Sequence, residues 1–135
     1  MKLILCTTSI IRGDFHRKTI GKIYNLFKTS LELFEIHHII NIDSPPQLQN
    51  RFSKEETSTL FQEIIPSFVN IHFIETNTPS FTQGYINTLS KIKELDLLDT
   101  DSIVWWLEDD WMPLDNSIIF KPPYNTICLL YTSDA

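Results

Sequence analysis

Glycine is scarce in this chain. Only Gly13, Gly21 and Gly84 occur among 135 residues, so neither a G-x-G-x-x-G dinucleotide fingerprint nor a P-loop can be written with them. The two cysteines, Cys6 and Cys128, cannot build a disulfide framework and lack the paired spacing of a zinc site. Arginine is confined to Arg12, Arg17 and Arg51, and the formal net charge is -6. Both facts exclude the clustered basic footprint of a protein that coats nucleic acid. No apolar run exceeds five residues, far short of the roughly 20 that a membrane helix needs. The opening MKLILCTTSII reads as a first strand rather than a signal peptide. Its only basic residue is Lys2, and Thr7, Thr8 and Ser9 interrupt the apolar stretch before any small-residue cleavage site. Leu5 ahead of Cys6 also fits a lipoprotein signal poorly. A soluble, cytoplasmic protein is expected.

What is present is enough for a packed core. Hydrophobic residues make up 42% and aromatic residues 12% of the chain, too apolar for a disordered polymer. The length corresponds to one domain or part of one. The last eight residues, CLLYTSDA at 128–135, resemble in order a conceptual translation of the transposase adapter used to prepare sequencing libraries. On that reading the native domain covers 1–127, the tail is foreign and the chain is a fragment. The alternative is a true final strand over 128–132.

Four strand patterns alternate with three helix patterns. Residues 2–7 (KLILCT) form a short, nearly all-apolar run, as in a strand covered on both faces. Asp14 can cap a helix running to about Ser30, with Ile20, Ile23, Phe27 and Leu31 at helical spacing. A second strand over 35–42 (EIHHIINI) ends at Asp43-Ser44-Pro45-Pro46, where two prolines forbid ladder pairing. Ser53-Lys54-Glu55-Glu56 is a capping box for a helix to about Ile65 that buries Leu60, Phe61, Ile64 and Ile65. A third strand spans 70–75 (NIHFIE). Ser80-Phe81-Thr82-Gln83, preceded by Pro79, is another capping box, and its helix aligns Phe81, Tyr85, Thr88/Leu89, Ile92 and Leu95. Residues 103–107 (IVWWL) form the fourth strand. This rhythm predicts an open α/β fold: a Rossmann-like, mainly parallel sheet with right-handed crossovers and helices on both faces.

In such sheets, ligands bind beyond the carboxyl ends of the strands, where strand order reverses. Those ends read Thr7-Thr8-Ser9, Asp43-Ser44, Glu75-Thr76-Asn77 and Glu108-Asp109-Asp110. For a 3-2-1-4 order, the hydroxyl cluster lies beside the acidic triplet. Like charges about 4 Å apart repel by roughly 1 kcal/mol in water and about 4 at an effective dielectric of 20. The triplet therefore calls for a cation or for full solvation. Alternation sends Glu108 and Asp110 to one side and Asp109 to the other unless a turn intervenes. Hard oxygen ligands suit Mg²⁺ or Mn²⁺, which complete their shell with water and substrate phosphates. Trp105, Trp106 and Trp111 surround the acids, and the first two serve either as core residues or as sugar-stacking platforms. His37 and His38 are strand neighbours that face opposite sides and cannot easily share a metal. His16 and His72 have no partner at ligand spacing, and Cys6 reads as a small buried hydrophobe.

The order of these elements, closing on Val104-Trp105-Trp106-Leu107-Glu108-Asp109-Asp110-Trp111, resembles the nucleotide-binding half of a GT-A glycosyltransferase over about residues 2–115. The acidic stretch is similar to that superfamily's D-x-D motif, with Glu108 in place of the first aspartate. The resemblance implies a metal-assisted, hexosyltransferase-type enzyme. Its donor would be a nucleotide-diphosphate sugar, of the UDP or GDP kind, and its acceptor a glycan, a protein or a small molecule. It also implies that Asp109 and Asp110 touch a Mn²⁺ or Mg²⁺ ion and that Glu108 lies nearer the ribose or donor sugar. Thr7, Thr8 and Ser9 would line the nucleoside pocket, and Asp43 would accept a hydrogen bond from base or ribose or else cap the turn before Pro45. Arg12 would approach the diphosphate or sit on the surface. Gly84 would permit close approach and Asn87 would reach the sugar, unless both serve packing. The catalytic base or nucleophile is expected beyond residue 127.

Two other readings compete. A sugar-phosphate nucleotidyltransferase would carry a glycine-rich, basic loop after the first strand, whereas residues 7–14 hold one glycine and one arginine. A non-catalytic nucleotide- or metal-binding domain would keep the acidic cluster without turnover.

Overall fold

A computed structural model describes residues 1–76 and 80–111 fully, and the backbone of 112–113, 119–120, 127–128 and 131–133. Asn77 and Pro79, which the sequence assigns to a strand end and a helix entry, lie outside the described residues, as do 129–130 and 134–135 of the tail.

The main sheet has four parallel strands in the order β3-β2-β1-β4: β1 (Lys2–Ile10), β2 (Glu35–Asp43), β3 (Asn70–Thr76) and β4 (Ser102–Trp106). The expected α/β class and strand order are both present. Helix α1 (Lys22–Leu31) continues from a π-helical turn at Arg17–Gly21, and α2 is Lys54–Ile64 and α3 Phe81–Glu94. Short antiparallel ladders pair β5 (Trp111–Pro113) with β8 (Tyr131–Ser133), and β6 (Ile119–Phe120) with β7 (Ile127–Cys128). Part of the 128–135 segment is therefore strand. Among the described residues no helix is long and apolar enough to cross a membrane.

Helices cover both faces, as the alternating pattern predicts. On one face Leu3 and Leu5 of β1, Ile36 and Ile40 of β2 and Trp105 of β4 pack against Ile20, Ile23, Tyr24, Phe27 and Leu31 and against Phe61. The other face is smaller: Ile4, Cys6 and Ile39 meet Ile92 and Leu97 beneath α3. Burying a large aliphatic or aromatic side chain contributes about 1.5–3 kcal/mol, so the first face dominates stability. Both serine caps form as expected, with Ser53 Oγ accepting from the Glu56 amide at 3.0 Å and Ser80 Oγ from the Gln83 amide at 3.2 Å.

Three local expectations are corrected. Strand β1 runs through Ile10 instead of ending at Thr7, because β2 stays in register beside it up to Ile10↔Asp43 and β-branched threonine suits a ladder. Asp14 does not cap with its side chain; its carbonyl accepts from the Arg17 amide at 3.0 Å and its carboxylate meets Arg17 Nε at 3.5 Å. Finally, α3 buries Gly84, Thr88 and Ile92, whereas Phe81 and Leu89 of the predicted stripe are 62% and 55% exposed. The cause is Gly84, where an added Cβ would lie 3.2 Å from Thr8 Cγ2 and 3.3 Å from Asn41 Nδ2. The helix settles on its bare side, close to the sheet.

Candidate functional site

Strands β1, β2 and β3 run outward in one direction and β4 lies on the opposite flank of β1, which sets the switch point between β1 and β4. A cleft of ≈ 360 Å³ opens at their carboxyl ends. Its lining includes Thr8, Ser9, Arg12, Asp43, Phe81 and the whole acidic triplet.

The triplet is divided by the pleat. Glu108 turns to the α3 face, where Thr8 Oγ1 donates to Oε2 at 3.0 Å while Trp106 Nε1 and Tyr85 Oη donate to Oε1 at 3.0 and 3.3 Å. Tyr85 and Trp106 stack at 4.0 Å between centroids, 12° from parallel, and Phe81 stands edge-on to Tyr85 at 4.7 Å. Burial, then the Glu108 charge, pushes the Tyr85 hydroxyl above its ordinary pKa, so it stays a donor.

Asp109 turns to the α1 face and is only 4% exposed. Ser9 Oγ donates to its Oδ2 at 2.9 Å, the Ile10 amide donates to the same oxygen at 3.3 Å, and an Arg12 terminal nitrogen lies 3.3 Å from Oδ1. Burial still pushes this carboxyl up to about 6, against the opposing pull of Arg12, Ser9 and the Ile10 amide. His16, fully buried, places Nδ1 3.8 Å from Asp109 Oδ2 and stacks on Phe61 at 4.6 Å. Its Nε2 donates to the Ile10 carbonyl at 3.2 Å. Burial and the Arg12 charge hold this imidazole down to about 4, so it is neutral near pH 7.

A turn follows, in which the Trp111 amide donates to the Glu108 carbonyl at 3.4 Å. This turn, rather than strand alternation, sets Asp110 at the cleft, half-buried and without a hydrogen-bond partner among the described residues. Arg12 crosses the same mouth. Its Nε is buried without a hydrogen-bond partner among the described residues, and its guanidinium lies 5.5 Å from the Phe15 ring centroid.

Of the sequence-derived candidates, Thr8, Ser9, Arg12, Asp43, Glu108, Asp109 and Asp110 come together at the cleft. Thr7 does not: it points under the sheet, where its Oγ1 lies 2.7 Å from His38 Nε2, and His38 Nδ1 lies 2.8 Å from the Tyr24 hydroxyl. Asn87 sits away from the cleft over the ends of β2 and β3, donating to Asn41 Oδ1 at 3.3 Å and accepting from Gln83 at 2.8 Å. Asp43 ties β3 to β2, since its Oδ1 accepts from Thr76 Oγ1 and from Asn41 Nδ2. Sequence reasoning missed His16, Tyr85 and Trp106 as partners of the acids.

Among the described residues, no three His, Cys, Asp or Glu side chains gather as a metal cage. Both oxygens of Glu108 and of Asp109 already have partners, which leaves Asp110 as the uncommitted carboxylate. Such a donor set fits a hard ion held by one or two carboxylates and completed by water and phosphate oxygens, the usual mode of Mg²⁺. The chain matches no protein-family profile, and no curated protein matches it by sequence.

Proposed function

We propose that this cleft takes the diphosphate of a nucleotide-sugar donor and that the protein is a metal-assisted glycosyltransferase of the GT-A kind. Donors of the UDP- or GDP-sugar type and an acceptor hydroxyl on a glycan, protein or small molecule complete the reading. One observation carries it: Arg12 and Asp110, the latter without a hydrogen-bond partner among the described residues, both line a cleft at the β1–β4 switch point. Together they would offer one cation for phosphate oxygens and one carboxylate for a metal ion.

The chain's own residues divide the work. Asp109, anchored by Ser9 and the Ile10 amide, aims the Arg12 guanidinium at the cleft, where it offsets charge on a departing diphosphate. Glu108, braced by Thr8, Tyr85 and Trp106, forms a rigid polar wall for ribose or sugar hydroxyls. Asp110 would hold Mn²⁺ or Mg²⁺, which when bound would supply further neutralisation of the diphosphate.

The test is calorimetric binding of UDP and GDP to the protein with Mn²⁺. Binding is expected to need the metal and to fall at least tenfold in Asp110→Ala. Unchanged affinity in that variant overturns the assignment. The internal commitment of Glu108 and Asp109 favours a second reading, a binding domain that takes nucleotide or metal without turnover. Nucleotide binding with no donor hydrolysis or transfer over long incubation would support it.

A further inference from the structure

The sheet carries a second polar constellation at its opposite end. His37 is the third residue of β2 and Asp43 the last, so about 20 Å of strand separates this place from the cleft at roughly 3.3 Å per residue. His37 and His72 belong to adjacent parallel strands, with Ile39 opposite His72 and Asn70 opposite His37. Parity brings both imidazoles to the α3 face. His37 Nδ1 and His72 Nε2 lie 3.0 Å apart, with the rings 10° from parallel and their centroids 5.3 Å apart. The other nitrogen of His37 lies 3.0 Å from Glu35 Oε1.

These contacts dictate the tautomers. An ionised carboxylate only accepts, so His37 Nε2 carries the proton donated to Glu35. His37 Nδ1 therefore presents a lone pair, and His72 Nε2–H donates to it. One proton joins two imidazole nitrogens, and a carboxylate orients the first ring from behind. Carboxylate-oriented histidine is the usual arrangement behind a metal-bound imidazole.

We propose that His37 and His72 form a two-nitrogen site for a borderline divalent transition-metal ion, with Glu35 as its orienting carboxylate. The cation takes the place of the shared proton, which moves by exchange with water to His72 Nδ1, so both rings stay neutral and no net proton is released. Each ring turns about its contacting nitrogen by roughly 40° to bring its lone pair onto the ion. Two nitrogens 3.0 Å apart, each about 2.0–2.1 Å from a metal, subtend an angle of about 95°. That is nearer the right angles of tetragonal Cu²⁺ or Ni²⁺ than the tetrahedral angle of zinc. Both histidines are partly exposed, so water can fill the remaining positions. The surrounding charges are mixed: Lys91 faces His72, while Lys2 and Asp99 act on Glu35.

The other two histidines, His16 and His38, are fully buried. Imidazole ligation in the folded protein thus has one address. It is independent of the cleft, whose ligands are all oxygen.

The experiment is titration of the protein with Cu²⁺, read by calorimetry and by electron paramagnetic resonance. A spectrum showing two equatorial nitrogens is expected. His37→Gln and His72→Gln, each checked for folding by circular dichroism, should each remove one nitrogen from the spectrum and weaken binding at least tenfold. Glu35→Gln should keep both nitrogens yet bind about tenfold more weakly, within the usual cost of losing an orienting carboxylate. Absence of a two-nitrogen spectrum, or identical uptake by the folded histidine variants, overturns the proposal. Zn²⁺ bound more tightly than Cu²⁺ would overturn its geometric part.

Discussion

Asp109→Asn tests whether the cleft holds a charge at the expense of the fold. The wild-type carboxyl is 4% exposed and is raised from an ordinary 3.8 to about 6. The folded state thus holds a proton more tightly than the unfolded chain across that interval. By linkage, stability is greatest below the unfolded value and declines as pH rises through the folded one. Two units and a little more, at 1.36 kcal/mol each, make a loss of about 3 kcal/mol complete near pH 7. Asparagine keeps the oxygen that accepts from Ser9 and the Ile10 amide but has no charge to desolvate. Its cost is the lost Arg12 contact, about 1 kcal/mol for a guanidinium that is 29% exposed and can turn to water. The variant should therefore be about 1–3 kcal/mol more stable than wild type at pH 7.5, and the gap should close on acidification towards pH 4. Urea denaturation at half-unit steps from pH 4 to 8 measures it. His16 and His38 are held low in the folded state, at about 4 and about 3, and so lower stability on acidification in both proteins. The readout is therefore the difference between the two curves. Parallel curves, or a variant weaker at pH 7.5 than at pH 4.5 relative to wild type, would refute the reasoning.

Other consequences are simpler to check. Tyr24→Phe removes the hydroxyl paired with His38 Nδ1 inside the core and should cost about 1–3 kcal/mol, read as a lower urea midpoint with an unchanged slope. Gly84→Val drives branched carbon into Thr8 and Asn41 and should cost about 1–3 kcal/mol; a neutral result would mean that α3 is not seated where the geometry has it. Phe81→Ser, at a ring 62% exposed, should move stability by less than about 0.5 kcal/mol. If its ring at the cleft mouth contacts the donor, nucleotide affinity will fall all the same.

The local grammar was readable along the chain. Apolar runs bounded by prolines and capped helices specify their own conformations, because strand alternation, helical spacing and serine caps act within a few residues. Ser53 and Ser80 start their helices where expected, and Ile20, Ile23, Phe27 and Leu31 are all buried. Short-range chemistry also placed the acids after an apolar strand, and the alternation of elements implied a parallel sheet, whose 3-2-1-4 order the tertiary structure shows. Contacts across 100 residues were beyond it. Whether Thr7 faces the cleft or His38 depends on how far β1 extends, which β2 decides by pairing as far as Ile10. The joining of His37 to His72 depends on the register of β2 against β3, a property of neither segment alone. Which acid stays free also came from packing: Ser9, Arg12 and the Ile10 amide engage Asp109, while Thr8, Tyr85 and Trp106 engage Glu108. Residue identity determined which groups could bind a cation or a phosphate. Tertiary structure decided which of them retain open valences, because hydrogen-bond partners are allotted only when strands and helices meet.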